Sequence, residues 1–196
     1  MTSGRSLVLR LAAVPLVGAV VGALVGGVVG RLAMLVLARL SPEATGRLSD
    51  DGFVMGRFTV SGSLNLLAFG AVLGVVGGVV YVAVRGLLLG PEWFRTVCVG
   101  LGSGVPVGNQ LVHVDGLDFT LLQPLWLTVG FFVVIPALYG VVLTLVVEHR
   151  LLARWPVGGA ARRRRVDSLL WGGRAVAFAV GAASLLQLLG KVRDLA

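Results

Sequence analysis

The stretch Thr96–Val112, TVCVGLGSGVPVGNQLV, decides the fold, because the number of long helices in the chain depends on whether it forms one. It carries no charge and is largely apolar. Glycine and proline interrupt it repeatedly, and both residues weaken a helix interior. Its own composition therefore leaves the question open. The answer comes from the segments on either side and from the charges that flank them.

The composition of the whole chain indicates an all-α integral membrane protein. Hydrophobic residues make up 57% of the 196 residues, charged residues only 13%, and the mean hydropathy is +0.95. A water-soluble domain of this composition would expose large apolar patches. We expect a single membrane domain covering residues 1–196.

Four other stretches are long enough to cross a bilayer. A helix needs about 20 apolar residues to span the hydrocarbon layer. The predicted spans are residues 11–40, 66–84, 124–147 and 169–190. Tryptophan prefers the membrane interface. All of the tryptophans fall near predicted boundaries, and they are Trp93, Trp126, Trp155 and Trp171.

Flanking charge favours a further span at residues 96–112. Cytoplasmic loops collect Lys and Arg. If this stretch crosses, the inner side gathers Arg5, Arg10, Arg85, Arg95, Arg150, Arg154, Arg162, Arg163, Arg164 and Arg165. If it does not cross, the last four lie opposite Arg5. We therefore predict five spans, with the N-terminus cytoplasmic and the C-terminus extracytoplasmic. An outer flap covers residues 41–65, and a basic cytoplasmic loop covers residues 148–168.

Small residues recur every four positions along three of these spans. The first span has Gly18, Gly22, Gly26 and Gly30, the second has Gly70, Gly74 and Gly78, and the last has Ala175, Ala179 and Ala183. Small residues let helices approach closely in lipid, where water expulsion does not drive association. The pattern predicts a compact five-helix bundle in which the first two spans touch through glycine ridges. The third span is predicted to be broken by its glycines and Pro106.

The flap contains the most polar long passage, LSDDGFVMGRFTVSGSL from Leu48 to Leu64. Asp51-Gly52 is a turn signal between alternating apolar residues, which favours a hairpin or re-entrant flap over the bundle mouth. Arg31 lies near the outer end of the first span. A structural ion pair with Asp50 or Asp51 would offset the cost of burying its charge. Solvation of Arg31 by lipid head groups is the alternative.

Several short motifs carry a resemblance. They are Gly30-Arg31-Leu-Ala-Met34, Ser49-Asp50-Asp51-Gly52-Phe53, Met55-Gly56-Arg57-Phe58-Thr59, Asn65-Leu66 and Asp118-Phe119. On these residues the chain resembles uncharacterised multi-spanning membrane proteins of high-GC Gram-positive, actinobacterial-type bacteria. The resemblance covers mainly the first two spans and implies no activity.

A second outer loop holds a candidate metal site. His113, Asp115 and Asp118 lie within six residues, and histidine with carboxylates suits Zn or Mn. Simple solvation of these acids is the alternative, since their spacing matches no established ligand pattern. Catalysis is not favoured, because His113 and His149 fall on opposite sides of the membrane in this topology. No cofactor is implied.

Transport is a sharper alternative function. Interrupted helices often line substrate or ion sites at membrane depth, and Asn109 and Gln110 would add polar side chains to such a pore. No acidic residue lies within a predicted span, which argues against a proton relay.

The basic residues point to lipid as the anionic partner. The arginines flank apolar runs instead of sharing a polar face with stacking aromatics, so nucleic acid is not expected. Arg162, Arg163, Arg164 and Arg165 are placed to contact an anionic leaflet. Lys191 is the only lysine among 17 basic residues, a bias typical of GC-rich bacterial genomes. We expect a bacterial cytoplasmic membrane protein with a structural or regulatory role, which forms a homo-oligomer or binds a membrane protein partner. The alternatives are a transporter or channel subunit and a membrane enzyme or metal-binding protein.

Overall fold

The structure, a computed structural model, describes residues 2–44, 46–47, 58–88, 90–113, 122–153 and 167–195. Over these residues the chain is helical and contains no strand. The main helices are α1 (Thr2–Gly22), α2 (Gly30–Leu40), α3 (Val60–Val84), α4 (Glu92–Leu111), α5 (Leu125–Val146) and α6 (Asp167–Leu195). A π-helical segment, Ala23–Val29, joins α1 to α2, and another, Val147–Leu151, extends α5. Short 3-10 turns cover Pro42–Ala44 and Arg85–Leu87.

Four helical runs are long and apolar enough to cross a membrane: Ser6–Leu40, Val60–Leu87, Leu125–Leu151 and Trp171–Leu195. A helix closes its backbone hydrogen bonds internally, which lipid requires of any spanning segment. The runs overlap the four clearest predicted spans. The second begins six residues earlier than predicted, because Thr59 caps it by accepting a hydrogen bond from the backbone N–H of Gly62 at 3.3 Å.

The predicted break in residues 96–112 is wrong, because α4 runs without interruption from Glu92 to Leu111 with Pro106 inside it. The glycines that predicted the break form a contact face. Gly100, Gly104 and Gly108 are buried against α5, and a Cβ at Gly104 would lie 2.8 Å from the Cβ of Ala137. Close packing on α5 therefore offsets the weak helix propensity of this sequence.

The first helical run packs against α3, antiparallel to it. A Cβ on Gly18 or on Gly74 would overlap the backbone carbonyl of the other residue, and Gly22 and Gly70 are related in the same way. Backbones at this separation leave no space for a larger side chain.

The π-helical segment Ala23–Val29 then moves the contact off the four-residue repeat. A π-helical turn closes over five residues where an α-helical turn closes over four. A Cβ on Gly27 would meet Leu67 at 2.8 Å, whereas a Cβ on Gly26 would lie at an ordinary 3.4 Å from Gly70 Cα. The tight contacts therefore fall at Gly18, Gly22 and Gly27.

The helical runs alternate in direction, so their connections gather at two ends of the molecule. One end, here called the arginine end, holds Arg10, Arg85 and Arg95. At the opposite end, Ser41 exchanges hydrogen bonds with the backbone of Gln123, at 3.0 and 2.7 Å, and α4 finishes beside Lys191.

Helix α6 contacts the other helices mainly near its two ends. Arg174 Nε donates to the carbonyl oxygen of Leu87 at 2.9 Å, and Leu188 is buried with Val112 and Val129. Between these attachments most side chains are exposed. The exposed set includes the predicted alanine ridge, Ala175, Ala179 and Ala183.

Residues 45 and 48–57, in the middle of the predicted flap, and residues 154–166, in the middle of the predicted basic loop, lie outside the described residues.

Candidate functional site

Glu148 is an acid with a largely buried side chain in the helical run that ends at Leu151. The sequence predicts that this span stops at Val147 and that no acid lies within a span, and the helical run continues beyond that residue to Leu151. The π-helical turn Val147–Leu151 continues the helix, so Glu148 stays on the wall of the bundle with only 9% of its side chain exposed. A carboxylate in this position needs partners that compensate for lost water.

Those partners come from α3 and the turn after it. Arg85 grips the carboxylate with two hydrogen bonds, Nε to Oε1 at 2.6 Å and Nη2 to Oε2 at 2.9 Å, and its own side chain is 14% exposed. Tyr81 donates its hydroxyl to Oε1 at 2.7 Å. Tyr81 and Arg85 are four residues apart, so they share one helix face. Two hydrogen bonds between one guanidinium and one carboxylate fix the relative orientation of the two groups and also pair their charges.

The first helical run contacts the same end of the helix that carries Glu148. Arg10 Nη1 donates to the backbone carbonyl of Leu151 at 2.8 Å. Beneath these groups lies a core of Val14, Tyr81, Leu143, Val147 and Leu152, all nearly inaccessible to solvent. Three of the long helical runs therefore contact one another at the arginine end. Hydrogen bonds of charged side chains join them at the surface, and apolar side chains pack beneath.

The start of α4 forms the outer part of this cluster. His149 Nε2 lies 2.9 Å from a carboxylate oxygen of Glu92, and both side chains are about half exposed. A narrow recess without room for a water molecule lies between this pair and the Arg85–Glu148 pair, and it is lined by Tyr81, Leu88, Glu92, Arg95, Thr144 and Glu148. An open groove of about 390 Å³ lies outside it, beside Trp93 and Leu145. The Glu92–His149 contact joins the start of α4 to the end of the run that contains α5.

The opposite end has its own polar contacts. Asn109 Nδ2 donates to Gln187 Oε1 at 2.8 Å, which joins α4 to α6. Lys191 Nζ donates to the carbonyl oxygens of Asn109 and Val112, the second at 2.8 Å. Two hydroxyls act between the ends: Ser103 donates to the Pro136 carbonyl at 2.9 Å, and Tyr139 donates to the Gly74 carbonyl at 2.7 Å. In each of these contacts a polar side chain forms a hydrogen bond to a neighbouring helix.

The two predicted pore residues differ in their exposure to solvent. Asn109 is 3% exposed and faces Gln187, whereas Gln110 is exposed. Arg31 stacks over the ring of Phe58 at 5.5 Å. Its predicted partners, Asp50 and Asp51, lie outside the described residues, so that ion pair stays a prediction.

The predicted metal and lipid sites fall largely outside the described residues. His113 is exposed, and its Nδ1 lies 3.0 Å from the Leu111 carbonyl oxygen. Asp115, Asp118 and the run Arg162–Arg165 are not described. Within the ranges that are described, no group of three or more His, Cys, Asp or Glu side chains is placed to hold a metal.

Sequence reasoning did not find the Glu148 network. The only local signal was a Tyr81-to-Arg85 spacing at the end of one apolar run and a lone acid at the end of another. Pairing them requires knowing that the two runs are antiparallel neighbours.

No protein-family model, curated protein or solved structure matches this chain. The function is therefore argued from the contacts of its own residues.

Proposed function

We propose that this protein is a structural or regulatory subunit of a complex in the bacterial cytoplasmic membrane, and that α6 is the surface its partner contacts. The proposed topology has five spans, with α4 as the third. The partner is another membrane protein or a second copy of the chain. Anionic lipids are proposed to contact the arginine end.

The length and direction of α4 support the fifth span. It has 20 residues, and at about 1.5 Å of rise per residue a helix of that length matches the hydrocarbon thickness. Its first turn lies beside His149 at the arginine end and its last turn lies beside Lys191 at the opposite end. The arginine end is the proposed cytoplasmic side, because Arg10, Arg85, Arg95 and Arg150 gather there.

The observation that carries the proposed role is the exposure of α6. Its central part presents Val176, Phe178, Val180 and Leu186 outward, with Phe178 80% exposed. Its alanines at four-residue spacing are exposed as well. Small residues with large apolar neighbours form the kind of surface through which membrane helices associate. Attachment near the two ends leaves this surface accessible along its length.

The transporter alternative receives less support from these contacts. Asn109 is engaged by Gln187, and glycine contacts bring the first helical run against α3 and α4 against α5. A pathway along α4 would require Asn109 to give up its partner.

Photo-crosslinking in living cells tests the role of α6. A benzophenone amino acid placed at Phe178 is expected to yield one defined protein adduct. Leu16 is the matched control, since it is apolar and 69% exposed on α1. We expect only lipid adducts there. Lipid adducts at both positions, or the same protein adducts at both, would contradict the proposal.

A further inference from the structure

We propose that the C-terminal end of α4 is a binding site for a small monovalent cation, and that the chain fills this site with the ammonium group of Lys191. The inference does not depend on the proposed partner of α6. It concerns how the outer end of α6 is attached.

The ligands on Lys191 are backbone carbonyls. Its Nζ donates to the carbonyl oxygens of Asn109 and Val112, which belong to the last turn of α4 and to the residue that caps it. The final carbonyls of a helix lack helical donors and carry the negative end of the helix dipole. Rings of backbone carbonyls, there supplied by loops, replace the hydration shell of potassium in membrane channels. The ammonium group therefore takes the place that a metal cation or an ammonium ion would take.

Asn109 supplies a further oxygen that no donor uses. Its side chain is 3% exposed, and its Nδ2 is committed to Gln187. Its Oδ1 is buried and accepts no hydrogen bond from the described part of the chain. A buried acceptor without a donor destabilises the fold. A cation needs only the oxygen, so the proposal includes Oδ1, which belongs to the residue whose backbone carbonyl binds Lys191, as an additional ligand.

The charge of this set limits the class of ion. The carbonyl oxygens of Asn109 and Val112 and the side-chain Oδ1 of Asn109 are all neutral, so they would compensate poorly for a divalent charge that loses part of its hydration. Asp194 is the nearest acid along α6. It is exposed and forms no ion pair with Lys191 within the described ranges. Apolar contacts among Leu188, Val112 and Val129 exclude water on one side. These features favour potassium, sodium or ammonium over calcium or magnesium.

Removing the lysine should uncover the site. Lys191→Ala deletes the ammonium and its stem and leaves the carbonyls without a cation. The matched control is Arg193→Ala, which removes an exposed positive charge two residues away. Melting temperatures of both variants and the unmodified protein are measured in mild detergent. The chloride salts of choline, sodium, potassium and ammonium are compared at one ionic strength.

The expected result is specific to one variant and to small cations. Lys191→Ala melts below the unmodified protein in choline, and its melting temperature rises by about 3 °C or more in potassium or ammonium. The unmodified protein and Arg193→Ala respond equally weakly to all four salts. Adding Asn109→Leu to Lys191→Ala removes the response, because it removes Oδ1.

Equal melting of Lys191→Ala in every salt would overturn the site and leave Lys191 as a helix cap only. If the variant unfolds during purification in choline, it is purified in ammonium throughout. Recovery of folded protein in ammonium alone is the expected result in that case. Failure in every salt counts against the proposal.

Discussion

Glu148 joins two helical runs through one carboxylate, which accepts two hydrogen bonds from Arg85 and one from Tyr81. An ion pair shielded from water gains strength from its hydrogen bonds, but each partner depends on the other. Removing one partner deprives the other of its principal counter-charge, and loss of a partner costs about 3 to 5 kcal/mol in buried pairs. The exposed pair of Glu92 and His149 has water available to both members.

Glu148→Gln should therefore destabilise the protein strongly. The Arg85 guanidinium would keep its charge in a place where only 14% of the side chain meets solvent. We expect the melting temperature in detergent to fall by about 6 °C or more. Glu92→Gln is the matched control and should change stability by less than about 1 kcal/mol.

The double variant Glu148→Leu with Arg85→Met separates pairing from packing. It removes both charges together, so it should melt above either single variant. A double variant that melts below both single variants would show that the charges of Arg85 and Glu148 do not compensate for each other as described.

Single residues show where sequence reasoning stops. The sequence predicts that Asn109 would add a polar side chain to a pore, and the structure gives it a partner on α6. The identity of that partner, 78 residues away, follows from tertiary packing and could not be read from local pattern. Glu148 was missed for the same reason. Its burial depends on a helical turn that hydropathy does not register.

At the scale of elements, the glycines differ sharply in the space around them. A Cβ at Gly74 would overlap the Gly18 carbonyl, a Cβ at Gly26 would make an ordinary contact, and a Cβ at Gly181 would meet nothing within 4 Å. Alanine is the better helix former by up to about 1 kcal/mol. The sign of a glycine-to-alanine change should therefore follow the local gap between helices.

Three alanine substitutions test this order. Gly74→Ala should lower the melting temperature most, since it forces α3 away from α1. Gly26→Ala should have little effect, and Gly181→Ala should raise the melting temperature slightly. Thermal unfolding of the three variants in one detergent gives the comparison. If Gly74→Ala and Gly26→Ala melt alike, the tight crossing at Gly18 is not where the structure puts it.

The helical segments themselves were largely predictable, because apolar runs of this length are a local property of the sequence. The exact contacts were not. Gly100, Gly104 and Gly108 looked like a broken helix, and they are the buried face of an unbroken one. Glycine weakens an isolated helix and also permits close packing, and only the neighbouring helix decides which effect prevails.

At the scale of the whole molecule, the contacts at the two ends predict which connections share a side of the membrane. The turn after α3 and the end of α5 meet at the arginine end, where Arg10 also binds. The end of α4 and the last turns of α6 meet at the other end.

Compartment-sensitive reporters test this arrangement. A reporter fused before Thr2 and one inserted near Arg163 should both report the cytoplasm. Reporters near Asp115 and after Ala196 should both report the exterior. If the Asp115 and Arg163 reporters share a compartment, α4 does not cross and the proposed five-span topology fails.

Charge bias alone predicted the same sides for these connections, since arginine counts are visible in the sequence. It could not predict how loosely α6 is held. Ala175, Ala179 and Ala183 have the spacing of a packing ridge, yet they are exposed in the isolated chain. Spacing identifies a surface suited to contact but does not identify the molecule that covers it.

The π-helical segment Ala23–Val29 also accommodates an extra residue. A π-helical turn holds one residue more than an α-helical turn, so deleting one residue there would let the segment close as an α-helix without turning the rest of the run around its axis. Arg31 would keep its place over the ring of Phe58, and Leu37 would keep its place beside Ala44 and Leu122. A deletion of one residue in this segment should therefore be far less damaging than a deletion of one residue in α2, which turns the residues beyond it by about 100°.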